Sequence, residues 1–487
     1  MLPAYWKKTE LGEVAEYLNG RAFKPEEWKK EGLPIIRIQN LNQEDAPYNY
    51  SDEFFEERYL VKHGELLFAW SASLGAYIWK GNDAWLNQHI FKILPKDFVN
   101  KLYLYYYLEK VTKDLYAKAH GSGMVHVTKK KFEETPILLP PLPEQRTIVS
   151  KIEQLFSELD NGISNLRLAQ EQLKVYRQAV LKKAFEGELT RKWREQQTDL
   201  PDARDLLEQI RKEREEVAKV SGKKVKPVKP LTEDEIAELP GLPEGWGWVK
   251  MEELGEVTGG LTKNSKRNAI STTLPYLRVA NVYSNELRLD DLKYIGIEEQ
   301  EVSRVLLKEG DLLVVEGNGS VDQIGRVAIW NGKISPCIHQ NHIIKVRFEI
   351  VEIGKFILYW LLSFDGRNQI TKVASSTSGL YTLNLSKIAS LCIPVAPLPE
   401  QHVIVEEIET RLSVCDKMAQ DIEEALEKAE ALRQSILKKA FEGKLLNERE
   451  LAEVRRAEDW EPAEVLLERV RAERAGNGKK RLIDFHS

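Results

Sequence analysis

Pro141-Leu-Pro-Glu-Gln145 returns as Pro397-Leu-Pro-Glu-Gln401, and Lys182-Lys-Ala-Phe-Glu-Gly187 returns as Lys438-Lys-Ala-Phe-Glu-Gly443. Both are displaced by 256 positions, so no gap intervenes, and 23 of 49 residues are identical between 141–189 and 397–445. Unrelated segments do not reach that identity, so the chain is one unit written twice. A long period with only two copies argues against a solenoid, whose short units need several neighbours to bury a core. It argues for two pseudo-symmetric lobes.

Between the repeated words the apolar residues fall at steps of three and four: Ile148, Ile152, Leu155, Leu159, Ile163, Leu166, Ala169, Leu173, Tyr176 and Val180. The second copy keeps the phase with Ile404, Ile408, Leu412, Cys415, Ala419, Ile422, Ala425, Ala429, Leu432 and Ile436. Such narrow stripes are coiled-coil seams. Proline in the first turn and Gly187 or Gly443 near the end mark the limits of each helix. About 44 residues at ~1.5 Å each reach roughly 65 Å, the length of a spacer. Two copies related by a pseudo-twofold axis pack most simply antiparallel. Residues 144–189 carry seven basic and seven acidic side chains, and 400–445 carry seven and eleven, so neither helix is a phosphate-binding rod.

The expected organisation is a first lobe at 1–140, a spacer helix at 141–200, and a short amphipathic helix with a basic linker at 201–241. A second lobe at 242–396, a second spacer helix at 397–446 and a C-terminal helix and tail at 447–487 complete it. Short β-branched and aromatic runs such as Leu66-Leu-Phe68, Tyr276-Leu-Arg-Val279, Leu312-Leu-Val-Val315 and Ile343-Ile-Lys-Val346 read as strands, with helical patterns at 101–118 and 354–370. The fold class is therefore α+β, two β-rich mixed lobes separated by two long antiparallel helices. Echoes link the lobes: Leu11-Gly-Glu-Val14 with Leu254-Gly-Glu-Val257, Leu33-Pro-Ile-Ile-Arg37 with Leu274-Pro-Tyr-Leu-Arg278, and His63-Gly-Glu-Leu-Leu67 with Glu309-Gly-Asp-Leu-Leu313. Asn87-Gln-His89 further matches Gln340-Asn-His342, and Val127-Thr128 stands where the second lobe has Leu383-Asn-Leu385, read as a strand.

The 487 residues carry a net charge of −5 and three widely spaced cysteines, Cys337, Cys392 and Cys415, which fits a reducing cytoplasm and no disulfide framework. No stretch approaches the ~20 apolar residues that span a bilayer, so no membrane partner is expected. Phosphate loops, dinucleotide turns and Cys-x-x-Cys pairs are missing, so no cofactor and no catalysis are expected. Cys337, His339 and His342 lack a fourth ligand for zinc and read as core.

Basic patches hide beneath the acidic total. Residues 101–131 hold seven lysines, Lys129 and Lys130 among them, against Glu109 and Asp114, and 263–278 hold Lys263, Lys266, Arg267 and Arg278 with no acid. A solvated lysine-rich face is the common explanation of such runs; the alternative is DNA contact, with aromatic and amide groups nearby for stacking and groove edges. If the lobes read different sequences, shared residues such as Asn-Gln-His are structural, a side-chain network in a strand, and base readers lie where the lobes differ. Those differing loops supply Arg21, Phe23 and Lys24 against Thr262, Lys263 and Asn264, and Trp70, Ser71 and Ser73 against Asn318. His120 and Ser122 in one lobe, Ser376, Thr377, Ser378 and Tyr381 in the other, and Arg37 complete the DNA-binding candidates.

A β-rich lobe, Pro-Leu-Pro-Glu-Gln opening a long helix, Lys-Lys-Ala-Phe-Glu-Gly closing it, and the whole again: this order resembles the DNA-specificity subunit of type I restriction-modification enzymes along nearly the entire chain. The resemblance implies two target recognition domains on an antiparallel spacer. It also implies a bipartite site on double-stranded DNA, with two methyltransferase subunits and restriction/translocase subunits as partners. Lys182, Lys183 and Phe185, with Lys438, Lys439 and Phe441, are the candidates for meeting those partners. A two-lobed adaptor binding only proteins would fit the duplication but would not need basic loops, and a single-chain nuclease or methyltransferase is the third reading.

Overall fold

The computed structural model of the chain describes residues 3, 5–43, 45–119, 127–222, 227–318, 320, 323–377, 380–469 and 471–472. It divides into two units, Met1–Arg167 with Glu423–Ser487, and Leu168–Ile422. Each unit holds one lobe together with pieces of both long helices, Leu142–Phe185 and Leu398–Phe441, which run 44 residues apiece. Both helices stop where a left-handed residue is needed, at Gly187 (φ +69°) and Gly443 (φ +70°).

Within each unit the two long helices pair antiparallel, as expected. In the first, Asp160 pairs with Arg433, whose guanidinium lies 4.3 Å from the Phe156 ring, while upstream Lys151 meets Glu450 at 3.1 Å and Arg146 meets Asp459. In the second, Arg177 lies 2.6 Å from Asp416, and Arg194, beyond the helix end, lies 2.6 Å from Glu400. Ile148, Ile152, Ile404 and Ile408 fill the seam with at most 1% exposure. Tyr176 and Leu432, equivalent in the two copies and expected in the same seam, are 47% and 51% exposed. The stripe residues on either side, Leu173, Val180, Ala429 and Ile436, stay at most 9% exposed, so this one step slips out of the seam, as a 3.6-residue turn set against a strict seven-residue repeat requires somewhere along a long straight helix.

Each lobe is built on a four-stranded sheet. Ala15–Asn19, Ile90–Pro95, Leu66–Ala69 and Gly75–Ile78 lie in that order in the first, and Gly255–Gly259, Ile343–Phe348, Leu312–Val315 and Val327–Ile329 in the second, all neighbours antiparallel. The duplication is legible bond by bond. The Gly64 N–H donates to the Trp79 carbonyl (2.7 Å) and the Gly310 N–H to that of Trp330 (3.0 Å), each glycine at positive φ. Buried Lys92 donates to the Leu60 carbonyl (2.6 Å), and Lys345 in the equivalent strand donates to that of Leu306 (3.3 Å).

Several sequence expectations shift. The helix Leu11–Val14 corresponds to Met251–Leu254, not to Leu254–Val257, because Ala15–Asn19 and Gly255–Gly259 occupy the same place in their sheets; the Leu-Gly-Glu-Val likeness is three residues out of register. Asn384 is no strand residue. Its side chain caps the helix Leu385–Ala389 by accepting from the Lys387 N–H, as Thr128 caps Lys129–Glu133 by accepting from Lys131, so both lobes carry one device. The helical stretch at 354–370 is two helices, Gly354–Leu362 and Phe364–Val373, broken where Ser363 caps the second.

Phe185 and Phe441, expected to face partner subunits, are buried in this chain's own cores. Phe441 meets Tyr103 and Tyr107 of the first lobe with ring centroids 5.2 Å away in each case, and Phe185 meets Phe356 and Trp360 of the second at 5.2 and 5.1 Å. Each core is thus closed by the helix end of the other repeat. In the first unit Ala463, Leu466 and Leu467 of the closing segment join it, and in the second Ala203, Leu206 and Ile210 do so. A helix buries its apolar stripe wherever a complementary face is offered, and the nearest face belongs to the other copy.

Candidate nucleic-acid interface

The loops singled out by their difference gather at one end of each four-stranded sheet. In the first lobe the pairings Asn19 with Phe91, Ala69 with Ile90, and Ala69 with Gly75 bring together the loops at 20–24, 70–73 and 87–89. In the second, Gly259 pairs with Ile344 and Val315 with Ile343, which gathers 260–264, 316–318 and 340–342 in the same way. Antiparallel strands connected by loops of unequal length force such convergence, because alternate loops must emerge at the same edge.

Shared residues hold this edge in place. The Asn87 N–H donates to the Ile36 carbonyl and the Gln340 N–H to that of Leu277, while the carbonyls of His89 and His342 accept from the N–H groups of Trp70 and Glu316. Asn87-Gln-His89 and Gln340-Asn-His342 are thus turns that join sheets through backbone bonds, not a side-chain network within a strand. A Cβ at Gly20 would lie 2.1 Å from the Asn87 carbonyl oxygen, and one at Gly260 2.3 Å from that of His339, so only glycine lets the first differing loop cross the junction. Gly20→Ala and Gly260→Ala should each cost about 1–3 kcal/mol by forcing backbone apart. Gly162→Ala, in open space within a long helix, should stabilise by up to about 1 kcal/mol. Chemical denaturation of the three variants checks the contrast.

The candidate side chains divide by their partners. Arg21 bridges both oxygens of Glu27 and lies 4.2 Å over the Phe55 ring and 5.1 Å over Phe23; its guanidinium holds the Glu27 carboxyl down at about 2. Arg267 bridges Glu301 at 2.8 Å twice and likewise holds that carboxyl at about 2. Arg278 pairs with Asp291 (2.9 Å), and Arg37 lies 5.7 Å over Trp28. These four arginines shape loops. By contrast Lys24, Thr262, Lys263, Asn264 and Lys266 are exposed at the same edges, and Lys129 and Lys130 are exposed with only i,i+4 glutamate partners, which water weakens to a few tenths of a kcal/mol.

Trp70 is half-buried, 5.3 Å from His89 and 5.8 Å from Phe91, Ser71 is buried, and Ser73 is half-buried. Gly317–Asn318, Leu380–Thr382 and Ser375–Thr377 form a three-stranded sheet that joins Asn318, Ser376, Thr377 and Tyr381. His120, Ser122 and Ser378 lie outside the described residues. Lys182 and Lys183 are exposed near Glu186 (3.7 Å) and Glu188 (3.6 Å), and Lys438 and Lys439 are exposed. Sequence reading missed Asn40 and counted Asn281 among the amides available for groove edges; their side chains instead accept from the N–H groups of Arg37 and Arg278 and fix the turns that follow, a pairing that extending the Leu-Pro-x-x-Arg echo by three residues would have found.

Cys337 and His339 are fully buried, whereas His342, expected in the core with them, is exposed and meets Glu316 at 2.9 Å. Burial pushes the Cys337 thiol up to about 12 and the His339 imidazole down to about 3, and the His339 Nδ1 lies 2.9 Å from the Ile343 carbonyl, so core packing accounts for those two. Among the described residues no helix is long and apolar enough to cross a membrane.

The family described as Type I restriction modification DNA specificity domain matches residues 3–166 and 243–428. The chain is 27% identical over 483 residues to the type I restriction enzyme EcoBI specificity subunit of Escherichia coli, covering 98% of this chain and 94% of that protein. It is 25% identical over 507 residues to the EcoKI specificity subunit of Escherichia coli strain K12, covering 99% and 98%. A chain solved in work on complex assembly and conformational transition of the type I R-M system is similar in fold (TM-score 0.63, 19% identity, 91% of this chain and 100% of that one). So is the HsdS subunit from Thermoanaerobacter tengcongensis (TM-score 0.52, 18% identity, 91% and 98%).

Proposed function

Since the chain belongs to the type I restriction-modification DNA specificity family, we propose that it is the non-catalytic subunit that reads a bipartite site on double-stranded DNA. Methylation and cleavage fall to partner subunits, two methyltransferase subunits and restriction/translocase subunits, which it directs to that site. The lobes at 1–140 and 242–396 act as the two readers. One observation carries this reading: two sheets with the same junction bonds, Gly20 beside Asn87 and Gly260 beside His339, present loops of different chemistry. A common scaffold with divergent loops is what two half-sites require, since phosphate contacts position a reader and base edges specify it. Two readers joined through long helices suit a bipartite site with an unread interval. Exposed Lys24, Lys129, Lys130, Lys263 and Lys266 supply phosphate contacts, and Lys182, Lys183, Lys438 and Lys439 supply partner contacts.

Replacing residues 1–140 by the corresponding lobe of a relative should change one half of the methylated motif in cells that also carry the methyltransferase subunit, and leave the other half intact. If both halves change together, the two-reader reading fails. Binding should also weaken steeply with salt, by about one logarithmic unit per phosphate contact for each tenfold rise. A protein-only adaptor would show no such slope.

A further inference from the structure

The second lobe holds a cleft of about 560 Å³ lined by four cationic side chains, Lys263, Arg267, Arg278 and Lys293, and by no carboxylate. The acids that balance some of them stand behind the lining. Glu301 gives both oxygens to Arg267, and Asp291 gives one to Arg278 (2.9 Å) and the other to Lys293 (2.7 Å). Lys263 is exposed and has no ion-pair partner among the described residues. Tyr276 also lines the cleft, is only 3% exposed, and its hydroxyl finds no hydrogen-bond partner; neither does the Nε of Arg278. An orphaned buried donor costs free energy that an arriving acceptor returns. Two orphan donors, four cations and the amides of Asn264, Asn268 and Gln340 describe a site for an acceptor-rich anion.

The first lobe keeps one of these positions, with Arg37 for Arg278, and answers the others differently. Strand register places Ile35 where the second lobe has Tyr276, since Ile35 pairs with Asn49 and Trp85 as Tyr276 pairs with Lys293 and Ile338. Counting from Gly20 and Gly260, Phe23 stands for Lys263 and Glu27 for Arg267. Lysine, arginine, tyrosine and lysine become phenylalanine, glutamate, isoleucine and asparagine. Phe23 packs edge-on against Phe55 at 5.2 Å, with Arg21 lying over both rings, so aromatic rings occupy that region of the first lobe.

We propose that the cleft between Lys263, Tyr276, Arg278 and Lys293 seats a backbone phosphate of the duplex on which the second lobe reads its half-site, and that the first lobe has no counterpart. This rests on the DNA-reading function above and adds to it an unequal division of labour. The second lobe grips the backbone independently of sequence, while the first leans on other contacts.

The test uses the full chain in complex with its methyltransferase subunits and a cognate duplex, titrated across salt concentrations. Lys263→Gln and Lys263→Gln/Lys293→Gln should weaken binding by about 10-fold and 100-fold at moderate salt, and lower the salt slope by about one per lysine, with the methylated motif unchanged. Tyr276→Phe keeps the core and removes only the hydroxyl. It should lose roughly 10-fold in affinity with the thermal midpoint unchanged or raised. A single neutral methylphosphonate walked along the second half-site should weaken wild type at one position, where the variants lose nothing further. Unaltered affinity in the variants, a changed motif, or additive losses at every methylphosphonate position would each overturn the proposal. Should the wild-type complex itself show no salt-sensitive duplex binding, the broader reading fails instead.

Discussion

Arg194→Ala should destabilise the unit Leu168–Ile422 by about 3–5 kcal/mol, because it strands a carboxylate that water cannot reach. The Glu400 side chain is 0% exposed and Arg194 is 21% exposed. Glu400, from the second Pro-Leu-Pro-Glu-Gln, accepts from the Arg194 Nε at 2.9 Å, the Trp246 indole at 2.9 Å and the Thr190 hydroxyl at 2.7 Å. Removing the cation leaves two neutral donors to hold a full negative charge in a low-dielectric interior. Breaking a buried pair from one side is costly even where the intact pair contributes little. Denaturant unfolding followed through tryptophan emission measures the loss, and a change below about 1 kcal/mol would show that Glu400 is not stranded.

The first copy offers an internal contrast. Glu144 accepts from the Trp6 indole at 2.7 Å, but a charged Arg455 only acts on it through space, and burial, the largest cause, raises its carboxyl above the usual range. A raised folded-state value means that this group's contribution is fully present below the ordinary carboxylate range and is lost as pH rises through the folded value. Glu144→Gln should therefore match or exceed wild-type stability at neutral pH, and the gain should vanish in acid.

Phe441→Ala should cost the first unit about 3–5 kcal/mol and leave the second lobe standing, although residue 441 belongs to the second repeat. Its ring is 3% exposed between Tyr103 and Tyr107, so truncation opens a cavity against two aromatic faces that cannot collapse onto it. Phe185→Ala, 6% exposed against Phe356 and Trp360, should do the reverse and loosen the second lobe. Native-state hydrogen exchange separates the outcomes. Amides of Leu66–Ala69 and Ile90–Pro95 should lose protection by ~100-fold or more in the first variant, and those of Leu312–Val315 and Ile343–Phe348 in the second. Equal losses in both sheets would contradict cores closed by the opposite repeat.

Much of this was open to reading in one dimension. The stripe from Ile148 to Val180 specified a long helix because a three-four period has no other compact solution, and Gly187 and Gly443 specified its end because few residues accept positive φ. Asn-Gln-His was legible as structure because it recurs where the surrounding loops differ. The paired arginines were not. Nothing in Gly20-Arg-Ala-Phe-Lys24 reveals that Glu27 folds back onto Arg21, or that Arg267 spends its charge on Glu301, since those partners are chosen by turn geometry and a distant helix.

By itself, then, the sequence determined the duplication, the long helices and their caps, and which loops differ between lobes, all properties of local period and of identity between copies. The tertiary structure alone decided that Phe185 and Phe441 turn inward, that each lobe is completed by the other repeat, and which cations remain available at the loop edges. Those outcomes depend on which surfaces lie within a few ångströms of one another, and burial, ion pairing and cavity shape are set by that distance and not by separation along the chain.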